Sequence, residues 1–221
     1  MKINANFSAI NTVAEAKVIQ LQLRERVITD DCLGKVRYVA GVDIGFEDKY
    51  AITKAAIVIL TYPELELVEQ AIARIPTVFP YVPGYLSFRE IPAILAALPQ
   101  IKTTPDLILC DGQGYAHPRR IGLACHLGVL LDIPTIGVAK SLLIGKHEAV
   151  PATKGSWKPL TDKGELIGAV LRSRTNVKPI YVSIGHRISL PTALEYVRGC
   201  LTKYRLPETT RWADKLASHK P

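Results

Sequence analysis

Four acidic side chains, Asp43, Glu90, Asp111 and Asp214, stand where a carboxylate could serve chemistry. Asp43 interrupts the apolar run VAGVDIGF, and charge inside a sheet requires a counter-ion, a metal or strong hydrogen bonds. A turn-capping aspartate is the alternative, less favoured because apolar residues lie on both sides. Gly41 and Gly45 leave room beside it for another backbone or a ligand. Asp111 closes LILCD directly before GQG, at the carboxyl end of a strand, where α/β sheets gather ligands. Ser87 and Glu90 have capping-box spacing, which leaves helix capping and metal ligation equally open for Glu90. Pro92 blurs the capping reading by allowing a later helix start. Asp214 shares a helical face with Thr210, Ala213 and Ala217, small enough to lie close on a sheet, although a solvated aspartate is the commoner use of such a position. Two carboxylates on strands and two on helices suit two-metal hydrolysis of a phosphodiester, in which cations orient water and stabilise charge on the attacking and leaving oxygens. Hard oxygen donors fit magnesium, bound near ~2.1 Å. The chain has no GxGxxG, no Walker lysine and no HExxH.

The elements that must position these groups follow from periodicity. Thr12 and Glu15 form a capping box that opens a helix running to about residue 28, with Ala14, Val18 and Leu21 on its buried side. Residues 36–46, 51–60 and 64–75 read as three strands with short connections, an antiparallel meander. A helix then runs to about Leu98, and residues 105–112 form a short buried strand. PRRIGLACHLGVLL reads as a helix with Ile121, Ala124, Cys125 and Gly128 on one face, and residues 134–140 as the next strand, completing a βαβ unit. ELIGAVLRS and PIYVSIGHRI form a further strand pair, and two helices, PTALEYVRGCLTKY and PETTRWADKLAS, close the chain. This order suits a ribonuclease H-like mixed sheet, a meander plus parallel strands flanked by helices, although other α/β folds share it.

Composition bounds the class. The 221 residues, 48% hydrophobic and 22% charged, fit one globular domain spanning residues 1–221. A formal charge of +8 favours a polyanionic partner. Cys32, Cys110, Cys125 and Cys200 are far apart and form no CxxC pair, so neither a zinc module nor a disulfide framework is indicated. The sequence shows neither a signal-peptide h-region nor a membrane span, and the expectation is a cytoplasmic monomer.

VAGVDIGF, PYVPGYLSFRE, ILCDGQGYAHPRRIGLACHLG, PTIGVAKSLL and LPETTRWADKLA, in this order, resemble the endonuclease V (deoxyinosine 3′ endonuclease) family over roughly residues 10–218. The resemblance implies a magnesium-dependent nuclease, with manganese as a substitute. It would flip deaminated adenine from DNA and cut the second phosphodiester 3′ of the lesion, leaving a 3′-hydroxyl and a 5′-phosphate. It assigns Asp43, Glu90, Asp111 and Asp214 to metal and catalysis, with Asp214 at a position that other members fill with aspartate or histidine. His117 matches an active-site histidine, and Lys140 a lysine near the scissile phosphate. Pro80, Tyr81, Val82 and Pro83 match a wedge that fills the space left by the flipped nucleotide, where a stacked ring offsets part of a flipping cost of a few kcal/mol. Gly84 and Leu86 would open the base pocket, and Gly112, Gly114 and Gly122 would bring backbone to it from the other side. Backbone amides there would tell hypoxanthine from adenine. The block 117–120 is expected at a helix start, whose amides suit phosphate; Arg119 is placed with the substrate, with mere solvation of Arg119 and Arg120 as the alternative. Alternatives are an endoribonuclease for inosine in single-stranded RNA, and a protein that binds damaged or branched nucleic acid without cutting it.

Overall fold

The computed structural model describes residue 10 and residues 12–218. Its strands are β1 (Tyr38–Glu47), β2 (Ile52–Thr61), β3 (Leu67–Pro76), β4 (Leu107–Asp111), β5 (Thr135–Ala139), β6 (Trp157–Asp162), β7 (Glu165–Leu171) and β8 (Ile180–His186). Its helices are α1 (Val13–Arg24), α2 (Leu86–Ala97), α3 (Leu123–Leu131), α4 (Leu190–Gly199) and α5 (Glu208–Ser218). The strands form one sheet in the order β3-β2-β1-β4-β5-β8-β7-β6. The meander β1–β3 is antiparallel, β1, β4 and β5 run parallel, and β8 returns antiparallel to β5. The βαβ unit and the ribonuclease H-like mixed sheet are therefore as the sequence indicated.

Side-chain alternation divides the strands between two cores. Ala40, Val42, Ile108 and Cys110 face α2 and α3, whereas Val39, Leu107 and Leu109 face α4 and α5. The same period of two turns Asp43 and Asp111 toward the α5 side. Helix α5 comes unusually near: a methyl group added at Gly41 would stand 2.0 Å from the Thr209 carbonyl oxygen, and one at Gly45 2.4 Å from that of Ala217. The two glycines thus admit a helix backbone. Thr209, Thr210, Ala213 and Ala217 are buried in the contact, and Asp214 projects from it at the sheet's edge.

Several elements depart from expectation. Strand β6 was not foreseen: WKPLTD carries Pro159 and mixed polarity, which suits the outermost strand, where a missing amide costs no ladder bond. The capping box on α1 is present, but the helix ends at Arg24 and turns Ala16, Gln20 and Leu23 inward, while Ala14, Val18 and Leu21 are exposed. Buried Gln20 explains that rotation, because its amide donates to the Gly84 carbonyl. Helix α3 begins at Leu123, and all nine of its residues are buried, so it has no solvent face. Among the described residues Cys32 is exposed, Cys110, Cys125 and Cys200 are buried, and all four thiols are free. No described helix is long and apolar enough to cross a membrane.

Gly41→Ala is expected to cost about 2–3 kcal/mol, because backbone on the facing side cannot yield without moving α5. Gly34→Ala, with nothing within 4 Å of the added methyl, should change stability little. Urea unfolding midpoints of the two variants measure the difference.

Candidate active site

Asp43, Asp111 and Asp214 each offer a carboxylate oxygen, and these oxygens lie within 4.8 Å of one another. The three come from a central strand, its parallel neighbour and the helix seated on the two glycines. The Asp43 carboxylate accepts the Ile44 amide at 2.8 Å. Lys140, directly after β5, places its ammonium 2.5 Å from Asp111 and 2.7 Å from Asp214. Desolvation opposes that ammonium, but Asp111, Asp214 and Asp43 prevail and hold it above the usual lysine range.

Positive charge from Lys140 does not satisfy the cluster. Desolvation, then repulsion from Asp111, pushes the Asp43 carboxyl up to about 8 despite Lys140. Asp111 is also raised, first by desolvation and then by Asp214, against the pull of Lys140. Glu90 is raised to about 8 by desolvation and by Asp43 and Asp111. Acids that resist ionisation until a cation arrives, all with hard oxygen donors, suit a divalent metal. Asp43, Asp111 and Asp214 would hold it.

Glu90 enters from the opposite side. It lies one turn into α2, which starts at Leu86 with no side-chain cap, and Ser87 uses its hydroxyl on His126 Nδ1 at 3.0 Å. The capping-box reading of Ser87 and Glu90 therefore falls. Because α2 packs on the other face of the sheet from α5, Glu90 stands outside the three-aspartate set yet lines the same cavity as Asp111. Its carboxyl is thus placed to act beside the cluster.

That cavity has a volume of about 420 Å³, ample for a small organic ligand. Tyr81, Pro83, Gly84 and Leu86 form one wall, Gly112, His117 and Gly122 another, and Glu90, Asp111 and Lys140 the charged end. Tyr81 is 66% exposed at the rim, while Phe79 and Phe88 behind it are buried and stack at 5.7 Å. Pro80 is exposed, and Val82 packs partly on that aromatic cluster, so the loop's own core holds Tyr81 outward.

One carbonyl ties the walls together. Gly84, at φ +80°, accepts hydrogen bonds from Gln20 (2.9 Å), His117 Nε2 (3.0 Å) and Arg119 Nη2 (2.6 Å). Since a carbonyl only accepts, His117 carries its proton on Nε2, and its Nδ1 accepts the Arg119 amide at 3.2 Å. Desolvation and neighbouring Arg119 depress its pKa to about 4. His117 is thus neutral, with both nitrogens engaged in the wall.

The block 117–120 lies in a turn, not a helix start; Arg120 has φ +58° and Gly122 is the helix N-cap. The reading of its arginines as solvated is also corrected. Arg119 stacks on Tyr85 at 4.1 Å. Arg120 is buried and forks onto Asp162 (2.9 Å) and Glu165 (2.7 Å), with a third bond to the His117 carbonyl. Gly114 is not on the cavity wall: its amide donates to Ser183, and an added methyl would meet the Ile184 carbonyl at 2.1 Å. Sequence reasoning missed Leu142 and Leu143, half-exposed on the cavity wall, although two leucines within three residues of a strand-end lysine were a usable signal. It also missed Arg205, which donates to the Lys140 carbonyl at 2.6 Å and carried no such signal.

Comparisons with known proteins bear on the family and the fold. The profile of the endonuclease V family matches residues 21–215. Endonuclease V of Rippkaea orientalis is 69% identical over 220 residues, covering 100% of this chain and 96% of its own. The crystal structure of endonuclease V from Streptomyces avermitilis superposes with a TM-score of 0.91 at 44% identity, covering 98% of this chain and 96% of that one. Ciona intestinalis endonuclease V, solved in complex with a 24mer DNA containing an inosine followed by a ribo-adenosine, gives 0.81 at 34% identity, covering 93% and 95%.

The raised carboxyls set a pH dependence without metal. Asp43 and Glu90 keep protons in the folded chain that the unfolded chain has lost, so their stabilisation is complete near pH 4 and is lost as pH rises through about 8. The depressed histidines His117 and His126 act oppositely, but only below their ordinary pKa of 6.5. In EDTA, Tm is therefore expected to fall between about pH 6.5 and 8 and to level off above that, by up to ~1.4 kcal/mol of stability per pH unit for each such carboxyl. Magnesium should remove the fall, as should combining Asp43→Asn with Glu90→Gln. A flat Tm in EDTA across that window would contradict the assignment.

Proposed function

This chain belongs to the endonuclease V family, and from that premise we propose that it nicks DNA beside deoxyinosine. In this reading it hydrolyses the second phosphodiester 3′ of the lesion, leaving a 3′-hydroxyl and a 5′-phosphate. The whole chain acts as one catalytic domain and as a monomer. The observation that carries the proposal is a three-aspartate cluster opening into a cavity with an exposed tyrosine at its rim. A binding protein would gain nothing from clustered, partly buried like charges beside phosphates.

Each residue then has a physical task. Tyr81, held outward by Pro80, Val82 and Pro83, fills the gap in the duplex when the inosine turns out. Because the loop is already rigid, little ordering entropy is lost on insertion. The flipped base enters between Gly84 and Leu86 on one side and Gly112 and Gly122 on the other. A hypoxanthine, with a carbonyl and an N1 proton where adenine has an amino group and a lone pair, matches fixed backbone groups there. A wrong base leaves one of them unpaired, at a cost of about 1–3 kcal/mol. His117, neutral and bonded at both nitrogens, positions the Gly84 wall together with Arg119. Asp43, Asp111 and Asp214 would hold magnesium, or manganese in its place. Such a cation orients water and takes up charge on the phosphate oxygens. Glu90, partly buried with its carboxyl pushed up to about 8, is placed to move a proton at the attacking water. Lys140 brings a fixed positive charge to the phosphate.

A second reading keeps the chemistry and moves it to inosine in RNA. The observation favouring it is the ribo-adenosine after the inosine in the DNA bound by the Ciona relative, since a ribose at that point is compatible with the related fold.

A 5′-labelled duplex with one deoxyinosine, incubated with magnesium or EDTA, tests both readings when run beside the RNA counterpart. A magnesium-dependent nick at the second bond 3′ of inosine is expected. Asp43→Ala and Asp111→Ala should each slow it by at least about 10²–10³-fold, the scale of losing direct charge stabilisation. Cutting of RNA alone would select the second reading, and an undiminished nick in either variant would refute the metal site.

A further inference from the structure

Beside Asp214, on the α4/α5 side of the sheet, basic and aromatic side chains alternate outside the cavity. The Arg211 guanidinium lies 4.3 Å from the centre of the Tyr204 ring and 5.6 Å from that of Trp212. The Lys203 ammonium lies 5.5 Å from Tyr204, and that of Lys215 5.9 Å from Trp212. Arg211 is anchored by Glu208 at 2.8 Å, which fixes the rings it touches. Lys203 and Lys215 are exposed and make no ion pair among the described residues. Tyr204 is 39% exposed. The segment bearing Lys203 and Tyr204 is tied to the reacting end of the sheet by Arg205, which donates to the carbonyls of Lys140, Pro179 and Lys178 at 2.6, 2.9 and 3.0 Å.

Aromatic faces interleaved with unpaired lysines are what a single nucleic-acid strand uses, bases stacking while ammonium groups follow the phosphates. The position is informative. The cavity opens among α2, α3 and the ends of β4 and β5, the aspartates stand at the sheet's carboxyl edge, and this shelf lies beyond them on the other layer. We propose that the shelf formed by Lys203, Tyr204, Arg211, Trp212 and Lys215 holds the strand on the 3′ side of the scissile bond. The proposal rests on the nuclease reading for its polarity: with the lesion base in the cavity and the second 3′ phosphate at the aspartates, the strand leaves over α5. It gives the shelf the product end that carries the new 5′-phosphate.

The test is fluorescence anisotropy of labelled oligonucleotides, with calcium so that binding is read without turnover, for wild type and the Lys203→Ala/Lys215→Ala double variant. Two lost phosphate contacts should lower the slope of log K against log salt by about 1.8 for duplex and 1.4 for single strand. The variant should therefore lose about tenfold less affinity than wild type between about 50 and 200 mM salt. Lengthening the 3′ flank from two to ten nucleotides should tighten binding by wild type but not by the variant, whereas lengthening the 5′ flank should affect both alike. Lys102→Ala, near the opposite end of the sheet before β4, is the control and should keep the wild-type slope. An unchanged slope in the double variant, in a protein with normal Tm, would overturn the shelf while leaving the nuclease reading intact. A shelf effect that follows the 5′ flank would overturn the proposed polarity. A normal shelf effect in a wild type that cuts neither inosine DNA nor inosine RNA would overturn the nuclease reading and with it the polarity, while keeping the shelf as a strand-binding surface.

Discussion

Three carboxylates with oxygens within 4.8 Å of one another cannot all be ionised in a desolvated site unless positive charge is brought to them. Much of the surrounding structure answers that constraint. Lys140 supplies one cation, and Arg205 grips its main chain so that the ammonium has little freedom to leave. Even so, Asp43, Asp111 and Glu90 stay reluctant to ionise. What remains is a deficit of positive charge facing the cavity, and a divalent cation would meet it with the right donor chemistry.

The cluster exists only because a helix backbone reaches the sheet. Alternation along β1 and β4 directs Asp43 and Asp111 to the same face, but Asp214 joins them through α5. Helix α5 sits that close because Gly41 and Gly45 have no side chains. Stability and chemistry therefore meet at two glycines that carry no functional side chain. On the other side of the sheet, a comparable economy governs the cavity: a single carbonyl, that of Gly84, receives Gln20, His117 and Arg119 and so joins α1, the 80–84 loop and the 117–120 turn.

The strand grammar and the acids at strand positions could be read from the sequence because both rest on local rules. A charge in an apolar run and an aspartate at a strand's carboxyl end need no knowledge of tertiary contacts. The closeness of α5 was also foreseeable, since small residues at Thr210, Ala213 and Ala217 complement the glycines that flank Asp43. What could not be read locally depended on partners distant in sequence. The rotation of α1 is set by Gln20 reaching Gly84, and no count of apolar residues contains that bond. Arg120 pairs with Asp162 and Glu165 on a β6–β7 hairpin whose first strand escaped notice, because an edge strand with a proline lacks a periodic pattern. Gly114 was placed on the pocket wall because it lies in a glycine-rich run, yet its missing side chain serves packing against β8.

The central expectation is that protonated, partly buried carboxyls would exchange their protons for a divalent cation. Calorimetric titration with manganese near pH 7, repeated in buffers of different ionisation enthalpy, measures the protons released on binding. The account predicts a net release of about one to two protons in wild type, lost or halved in Asp43→Asn, together with saturable binding. Binding with no dependence on buffer ionisation, or equal binding by Asp43→Asn and Asp111→Asn, would contradict it.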